Sequence, residues 1–236
     1  MSKLQEITSE LKKRANPLHA SILQRFFKTG PGEYGAGDIF LGLKVPVQRQ
    51  IVRRYVDLDR KSIQALLDSK IHEFRLVALL ILVAQYEAAK DLKSKKSIVD
   101  FYLKNTSRIN NWDLVDLSVY KILGDFLLVT GKTKLLSELA ASKNLWERRI
   151  AMIATYAFIK AGRTAEVFAL AKQLLKDEHD LIHKAVGWML REAGKRVSAR
   201  ELKEFLDRHY QSMPRTALRY AIERLSPSER ERYLTK

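Results

Sequence analysis

Apolar residues recur along most of the chain at i, i+3, i+4 and i+7, the spacing of helices with one buried face. Breaks in that rhythm predict helices over 3–14, 18–28, 46–56, 61–69, 72–89, 95–105, 112–130, 133–142, 145–160, 164–176, 180–193, 199–209, 215–224 and 228–234. Glycine (10) and proline (5) are scarce, and several fall between periodic stretches, where they punctuate rather than interrupt. No run with period 2 reads as a strand. The one long irregular segment is 30–44, GPGEYGAGDIFLGLK, whose glycine-rich first half reads as a flexible connection able to touch a ligand.

The helices recur in pairs. Those opening near Phe74, Trp112, Arg149 and Lys184 lie 38, 37 and 35 residues apart by subtraction of their numbers. Most are followed by a shorter amphipathic helix. A two-helix unit of that length is the mark of HEAT-like repeats, which stack because no single unit can bury its apolar face alone. The expectation is an all-α protein, an α-solenoid of HEAT-like helical repeats with a concave groove, forming a single domain over 1–236.

Composition adds a partner class. Hydrophobic residues make up 46% of the 236, enough for a real core, while 43 Lys and Arg against 27 Asp and Glu leave a net charge of +16. The basic residues are spread along the chain rather than gathered in a tail, which points to a polyanion as partner. There is no cysteine, so disulfides, iron–sulfur clusters and cysteine-based zinc sites are excluded. The first fifteen residues lack the uncharged apolar run of a signal peptide, and the longest apolar run, 76–84, is too short to span a bilayer. A cytoplasmic monomer with no membrane contact is expected.

Cations recur on corresponding helices. The predicted helix 180–193 buries Ile182, Val186, Met189 and Leu190 and sets Lys184, Trp188 and Arg191 on another face. The helix 145–160 carries Arg148 and Arg149 near its start, and 215–224 carries Arg215 and Arg219 four apart. Any one of these is more simply a solvated charge. Their return at repeat spacing would draw a basic, phosphate-holding stripe along the groove.

Against that background the segment Asn110-Asn111-Trp112-Asp113-Leu114-Val115-Asp116 stands out. In a helix, Trp112 and Asp116 share a face with Tyr120, leaving Leu114, Val115, Val119, Ile122 and Phe126 for the buried stripe. Tryptophan is usually core. An indole grouped with charges, as Trp112 and Trp188 both are, reads instead as a contact surface for sugar or base. Asp113 is accounted for by the positive end of the helix dipole. Asp116 would repel phosphates, so chemistry justifies it better than affinity does.

Other motifs carry less. Gly131-Lys132-Thr133 ends like a P-loop, but position 126 is phenylalanine where a glycine is required. His179 and His183 are four apart, yet no glutamate follows His179 and no third ligand clusters with them, so a surface or capping role is expected, and no metal or other cofactor.

The segments NNWDLVD (110–116), WERR (146–149), HKAVGWMLREAGK (183–195) and MPRTALRYAIE (213–223), in that order, resemble the AlkD-type DNA alkylation repair glycosylases over about residue 18 to the end. The resemblance implies a HEAT-like solenoid that wraps double-stranded DNA and releases cationic alkylated purines, 3-methyladenine and 7-methylguanine, as free bases. It implies Asp116 as the catalytic carboxylate, Trp112 and Trp188 against the lesion's deoxyribose, and Arg149 on the DNA backbone. Phe26 matches the family's N-terminal aromatic, usually tyrosine, without its hydroxyl. Arg49 is counted with the DNA-contacting cations. A non-catalytic HEAT-repeat module that binds nucleic acid or an acidic protein is the alternative. Asp116 discriminates, since a binder gains nothing from a carboxylate among phosphates.

Overall fold

A computed structural model describes residues 1–235. Among them the regular elements are all helices, with a lone parallel bridge between Ile39 and Ile71 in place of any strand. This is the expected all-α class, with the paired helices of an α-solenoid repeat protein. The chain divides into two compact units, Met1–Ser118 and a second beginning at Val119.

The first unit is assembled on the helix His72–Ala88, in which every residue from His72 to Val83 is buried. A helix apolar all round must be surrounded by others. Here Val45–Val52, Arg60–Leu67, Leu92–Lys104 and the short Trp112–Asp116 pack against it. The apolar run 76–84 is thus a core helix, and among the described residues no helix is long and apolar enough to cross a membrane. Side-chain caps set several helix starts: Ser2 with Gln5 in a reciprocal capping box, then Asn16, Asp59 and Asp91.

The segment 30–44 is irregular, as expected, but it is not loose. Glu73, buried beside the core helix start, accepts hydrogen bonds from the amides of Leu41, Gly42 and Leu43 at 2.9, 2.8 and 3.1 Å. The Ile39 amide reaches the Lys70 carbonyl at 3.0 Å, and the His72 amide returns to the Ile39 carbonyl at 2.8 Å. Gly42 sits at φ 84° against the Asn16 carbonyl and the Ala20 amide, where any side chain would collide. These bonds anchor the second half of the segment, 39–43, and lie outside the glycine-rich first half that reads as a flexible connection.

In the second unit, Leu145–Ala154 packs on Lys134–Ala140 and on Asp180–Arg196, which in turn packs on Arg215–Ile222. The last contact is close because residue 187 is glycine. Ion pairs join successive layers: Arg148 reaches Asp177 at 2.5 Å, and Arg191 pairs with Glu223.

Two long predicted helices are broken. The stretch 112–130 consists of Trp112–Asp116, a π-helical turn Tyr120–Gly124, and Asp125–Thr130; 145–160 breaks at Thr155 into Leu145–Ala154 and Tyr156–Lys160. Hydroxyl back-bonding accompanies both breaks, Ser118 to the Leu114 carbonyl at 2.6 Å and Thr155 to the Met152 carbonyl at 2.6 Å.

The helix contact at Gly187 gives a stability prediction. A Cβ there would overlap the Ala217 carbonyl and the Tyr220 Cβ. Gly187→Ala should therefore lower folding stability by about 1–3 kcal/mol, the usual cost of overpacking, despite alanine's better helix propensity. A guanidinium midpoint equal to or above wild type would show that the two helices can part freely.

Candidate functional site

The turn that carries Trp112 and Asp116 is held from below. Asn111, fully buried, accepts the Trp112 amide on its side-chain oxygen at 2.8 Å and starts the helix. Asp113 then points inward. It is buried and bonds His72 Nε2 at 2.8 Å and the Leu114 amide at 2.8 Å. The other imidazole nitrogen of His72 faces Asp38 at 3.2 Å, and Asp38 also accepts from Arg75 at 2.6 Å. His72, Arg75, Asp38 and Asp113 thus form one continuous buried network.

Its electrostatics follow from the contacts. Burial alone would lower the His72 pKa, but the charge and hydrogen bond of Asp113, with the hydrogen bond from Asp38, outweigh burial and the nearby Arg75, raising it to about 9. For Asp38 burial works upward, yet His72 and Arg75 hold its pKa below the usual carboxylate value. The expected role for Asp113, answering the helix dipole, is therefore too small. It is an ion-pair anchor for the whole turn.

Aromatic rings complete the support. The His72 imidazole stacks on Phe40 at 4.5 Å, Phe40 on Phe27 at 5.1 Å, and Phe27 on the Trp112 indole at 5.0 Å and 15°. Phe26, 62% exposed, meets Trp112 edge-on at 5.9 Å. Trp112 is thereby half-buried, with one side against the stack. Asp116, four residues on, is also half-buried. The Tyr102 hydroxyl beneath bonds Ser118 at 3.0 Å, and its pKa is pushed up by burial and, further, by the Asp116 charge. The break after Asp116 means that helical spacing does not carry on to Tyr120.

Trp188 lies in the second unit on Asp180–Arg196, half-buried, 6.3 Å from Tyr156. Tyr156 in turn meets Tyr120 edge-on at 5.2 Å. Arg196 lies 5.6 Å from the Tyr156 ring and Lys160 5.8 Å from the Tyr120 ring, a row of aromatics faced by cations.

The basic candidates differ in what they are free to do. Arg149 is buried and donates to the Leu181 carbonyl at 2.5 Å. Arg148 holds Asp177 and the carbonyls of Ser142 and Lys143. Arg191 is held by Glu223 and Glu192. The two arginines expected to join a phosphate-holding stripe thus already have internal acceptors, as a buried guanidinium such as that of Arg149 requires. Lys184 pairs with Asp180 at 2.8 Å but keeps 41% of its side chain exposed. Arg49, Arg215 and Arg219 are exposed, with Arg215 touching the Leu234 carbonyl at 3.1 Å. His179 caps the Leu181 amide at 3.1 Å, as expected, and His183 reaches the Asp177 carbonyl at 2.5 Å.

Sequence reasoning missed His72, Glu73, Arg75 and Asp38. A signal existed: three ionisable residues at the head of a helix otherwise apolar on every side. Tyr156 was missed because its helix was read as one continuous run.

Comparison with known proteins follows this geometry. The family model for "DNA alkylation repair enzyme" matches residues 7–225. A solved structure, a predicted DNA alkylation repair enzyme from Enterococcus faecalis, is similar with TM-score 0.71 and 16% identity, covering 90% of this chain and 97% of that one. At that identity the likeness speaks for the fold. A search of curated proteins finds no match.

The raised pKa of His72 sets a pH test. The folded state holds this proton more tightly than the unfolded state, whose value is near 6.5. Its stabilisation is thus complete below about pH 6.5 and is lost as pH rises through about 9. Unfolding free energies measured across that window should fall with pH in the wild type, and His72→Gln should remove that part of the slope. Parallel pH profiles for the two proteins would show that the imidazole is not charged in the fold.

Proposed function

The chain belongs to the DNA alkylation repair enzyme family, and on that premise we propose that it hydrolyses the N-glycosidic bond of cationic alkylated purines in double-stranded DNA. The observation that carries this reading is the Trp112–Asp116 turn. A carboxylate and an indole stand one helical turn apart on its outer side, while Asp113 between them is fastened to His72.

An N3- or N7-alkylated purine already bears positive charge. When the bond from C1′ to the ring nitrogen breaks, its electron pair leaves with the base and neutralises it, so no general acid is needed. The sugar becomes oxocarbenium-like. Asp116 stabilises that cation and orients the water that attacks C1′, whose proton passes to the carboxylate or to solvent. The products are a free base and an abasic site. Trp112 and Trp188 offer ring faces to the cationic sugar. The substrates proposed are 3-methyladenine and 7-methylguanine, and the protein's own side chains suffice for these steps.

This reading treats the chain as one HEAT-like repeat domain acting as a monomer in the cytoplasm. Its phosphate contacts fall first to Arg49, Lys184, Arg215 and Arg219, which keep exposed charge. Arg148, Arg149 and Arg191 act through the layers they tie together unless binding releases them. Phe26 borders Trp112 and, on this reading, joins the DNA-contacting surface.

Affinity for duplex should depend steeply on salt and little on sequence. For roughly 6–10 phosphate contacts it falls about 10³–10⁵-fold between roughly 50 and 200 mM salt; a flat profile would reject the phosphate contacts.

Asp116→Asn keeps the shape and removes the charge. Single-turnover release of 7-methylguanine from a defined duplex should slow by about 10²–10³, with duplex affinity unchanged or tighter. Asp113→Asn should differ in kind, lowering thermal stability because it strands His72. If folded Asp116→Asn protein releases base at the wild-type rate, the non-catalytic binding module becomes the better account.

A further inference from the structure

From Leu11 to Lys28 the chain has no carboxylate and five cations, Lys12, Lys13, Arg14, Arg25 and Lys28, all exposed. Within this stretch lies the helix Pro17–Phe26. Its inner face is accounted for: Ala20 and Leu23 pack with Phe27 and Phe40 beneath Trp112. Its outer face should be polar, as on other surface helices. Instead Leu18, Ile22 and Phe26, at i, i+4 and i+8, are 81%, 53% and 62% exposed. A ladder of three large apolar side chains in water, bordered by cations, marks a contact surface.

Position and charge say what covers it. The ladder ends at Phe26, whose ring meets the Trp112 indole. It therefore continues the surface that, on the reading above, takes the lesion's deoxyribose. The flanking positive charge, with no acidic residue in the stretch, suits a phosphate backbone on either side. Eight helical steps span about 12 Å, the length of about three to four base steps at roughly 3.4 Å each. Leucine, isoleucine and phenylalanine are among the side chains that proteins press between base steps from the minor groove, loosening the stack where they enter.

We propose that Leu18, Ile22 and Phe26 form an apolar wedge that lies in the minor groove of duplex DNA beside the Trp112 site and unstacks the bases there. The inference rests on the proposed function. The wedge supplies what phosphate contacts cannot, a salt-independent grip and a local opening of the stack that lets the alkylated nucleotide move toward Trp112 and Asp116.

The test replaces Leu18 and Ile22 together with Gln, which keeps helix propensity and leaves Phe26 and the buried face intact; a circular-dichroism melt checks folding. Binding to an unmodified duplex is measured from low salt to about 1 M, with 2-aminopurine in the duplex to report unstacking. Each side chain leaving water contributes through its apolar area, so the double variant should bind roughly 10- to 100-fold more weakly at every salt concentration. The slope against salt should be unchanged, and the fluorescence rise on binding should be lost. Equal affinity and equal 2-aminopurine response in the two proteins overturn the wedge. So does an unchanged DNA affinity accompanied by lost binding to phosphatidylglycerol vesicles, or by a lost dimer in sedimentation, since the ladder then serves a lipid surface or a second copy. These readouts do not use base release. A failed wedge with Asp116-dependent release intact leaves the glycosylase reading standing, whereas wild-type protein that grips duplex through the wedge but releases no base removes that reading alone.

Discussion

A positive charge buried in the first unit governs most of what surrounds it. His72 is 2% exposed and carries a proton through neutral pH only because carboxylates flank it. A buried charge without partners is among the most unfavourable elements a fold can contain, so the chain must deliver Asp38 and Asp113 to the same place. Asp38 comes from the irregular segment 30–44, and Asp113 comes from the turn after the next helix. The adjacent residue, Glu73, sets the complementary demand, a buried negative charge answered by three backbone amides of that segment. One helical turn, His72 to Arg75, thereby helps decide where a fifteen-residue segment and the short helix Trp112–Asp116 sit. Breaking one partner would leave the other charge stranded, and this explains why the second half of the segment, from Asp38 to Leu43, is anchored.

The helices were legible because their energetics are local and periodic. A buried face repeated every 3.6 residues shows in the letters, and Ala199–His209 runs over the predicted residues. The two broken helices were not legible, for a physical reason. Apolar spacing continues smoothly through Leu117–Val119 and through Thr155, so nothing in the pattern stops. What accompanies the breaks is hydroxyl hydrogen bonding to carbonyls three or four residues back, which serine and threonine do not always make. The candidate site divides in the same way. Trp112 and Asp116 were singled out from spacing and charge, and both lie half-buried on one short helix. The support was missed, because three ionisable residues at the head of an apolar helix name a buried network without naming its partners.

Charge shows the limit of counting. A net charge of +16 suggests a phosphate track, and cations do recur at repeat spacing. Yet Arg148, Arg149 and Arg191 spend their guanidinium groups on Asp177, the Leu181 carbonyl and Glu223. Arginine suits this, since its planar fork satisfies several acceptors at once. In a repeat fold each layer touches only its neighbours, so a cation returning once per layer is as useful for joining layers as for holding a ligand. Recurrence alone cannot separate those roles; exposure can, and it favours Arg49, Arg215 and Arg219.

The two aspartates of the Trp112–Asp116 helix make the same point about carboxylates. Asp113 and Asp116 are three residues apart in one short helix and differ in sequence context hardly at all. Asp113 turns inward, meets a cationic imidazole, and is consumed by structure. Asp116 is half-buried rather than buried, with its charge felt by the buried Tyr102 hydroxyl. A carboxylate that must stabilise a developing cation has to be held before the cation forms, because reorientation during the reaction would cancel the gain. The turn that carries Asp116 is held through its neighbours: the ion pair at Asp113 and the ring stack under Trp112 fix it from two sides. On the proposed reading the anchor is internal and the reacting carboxylate external, and the single turn between them is short enough that rigidity at one residue becomes orientation at the other.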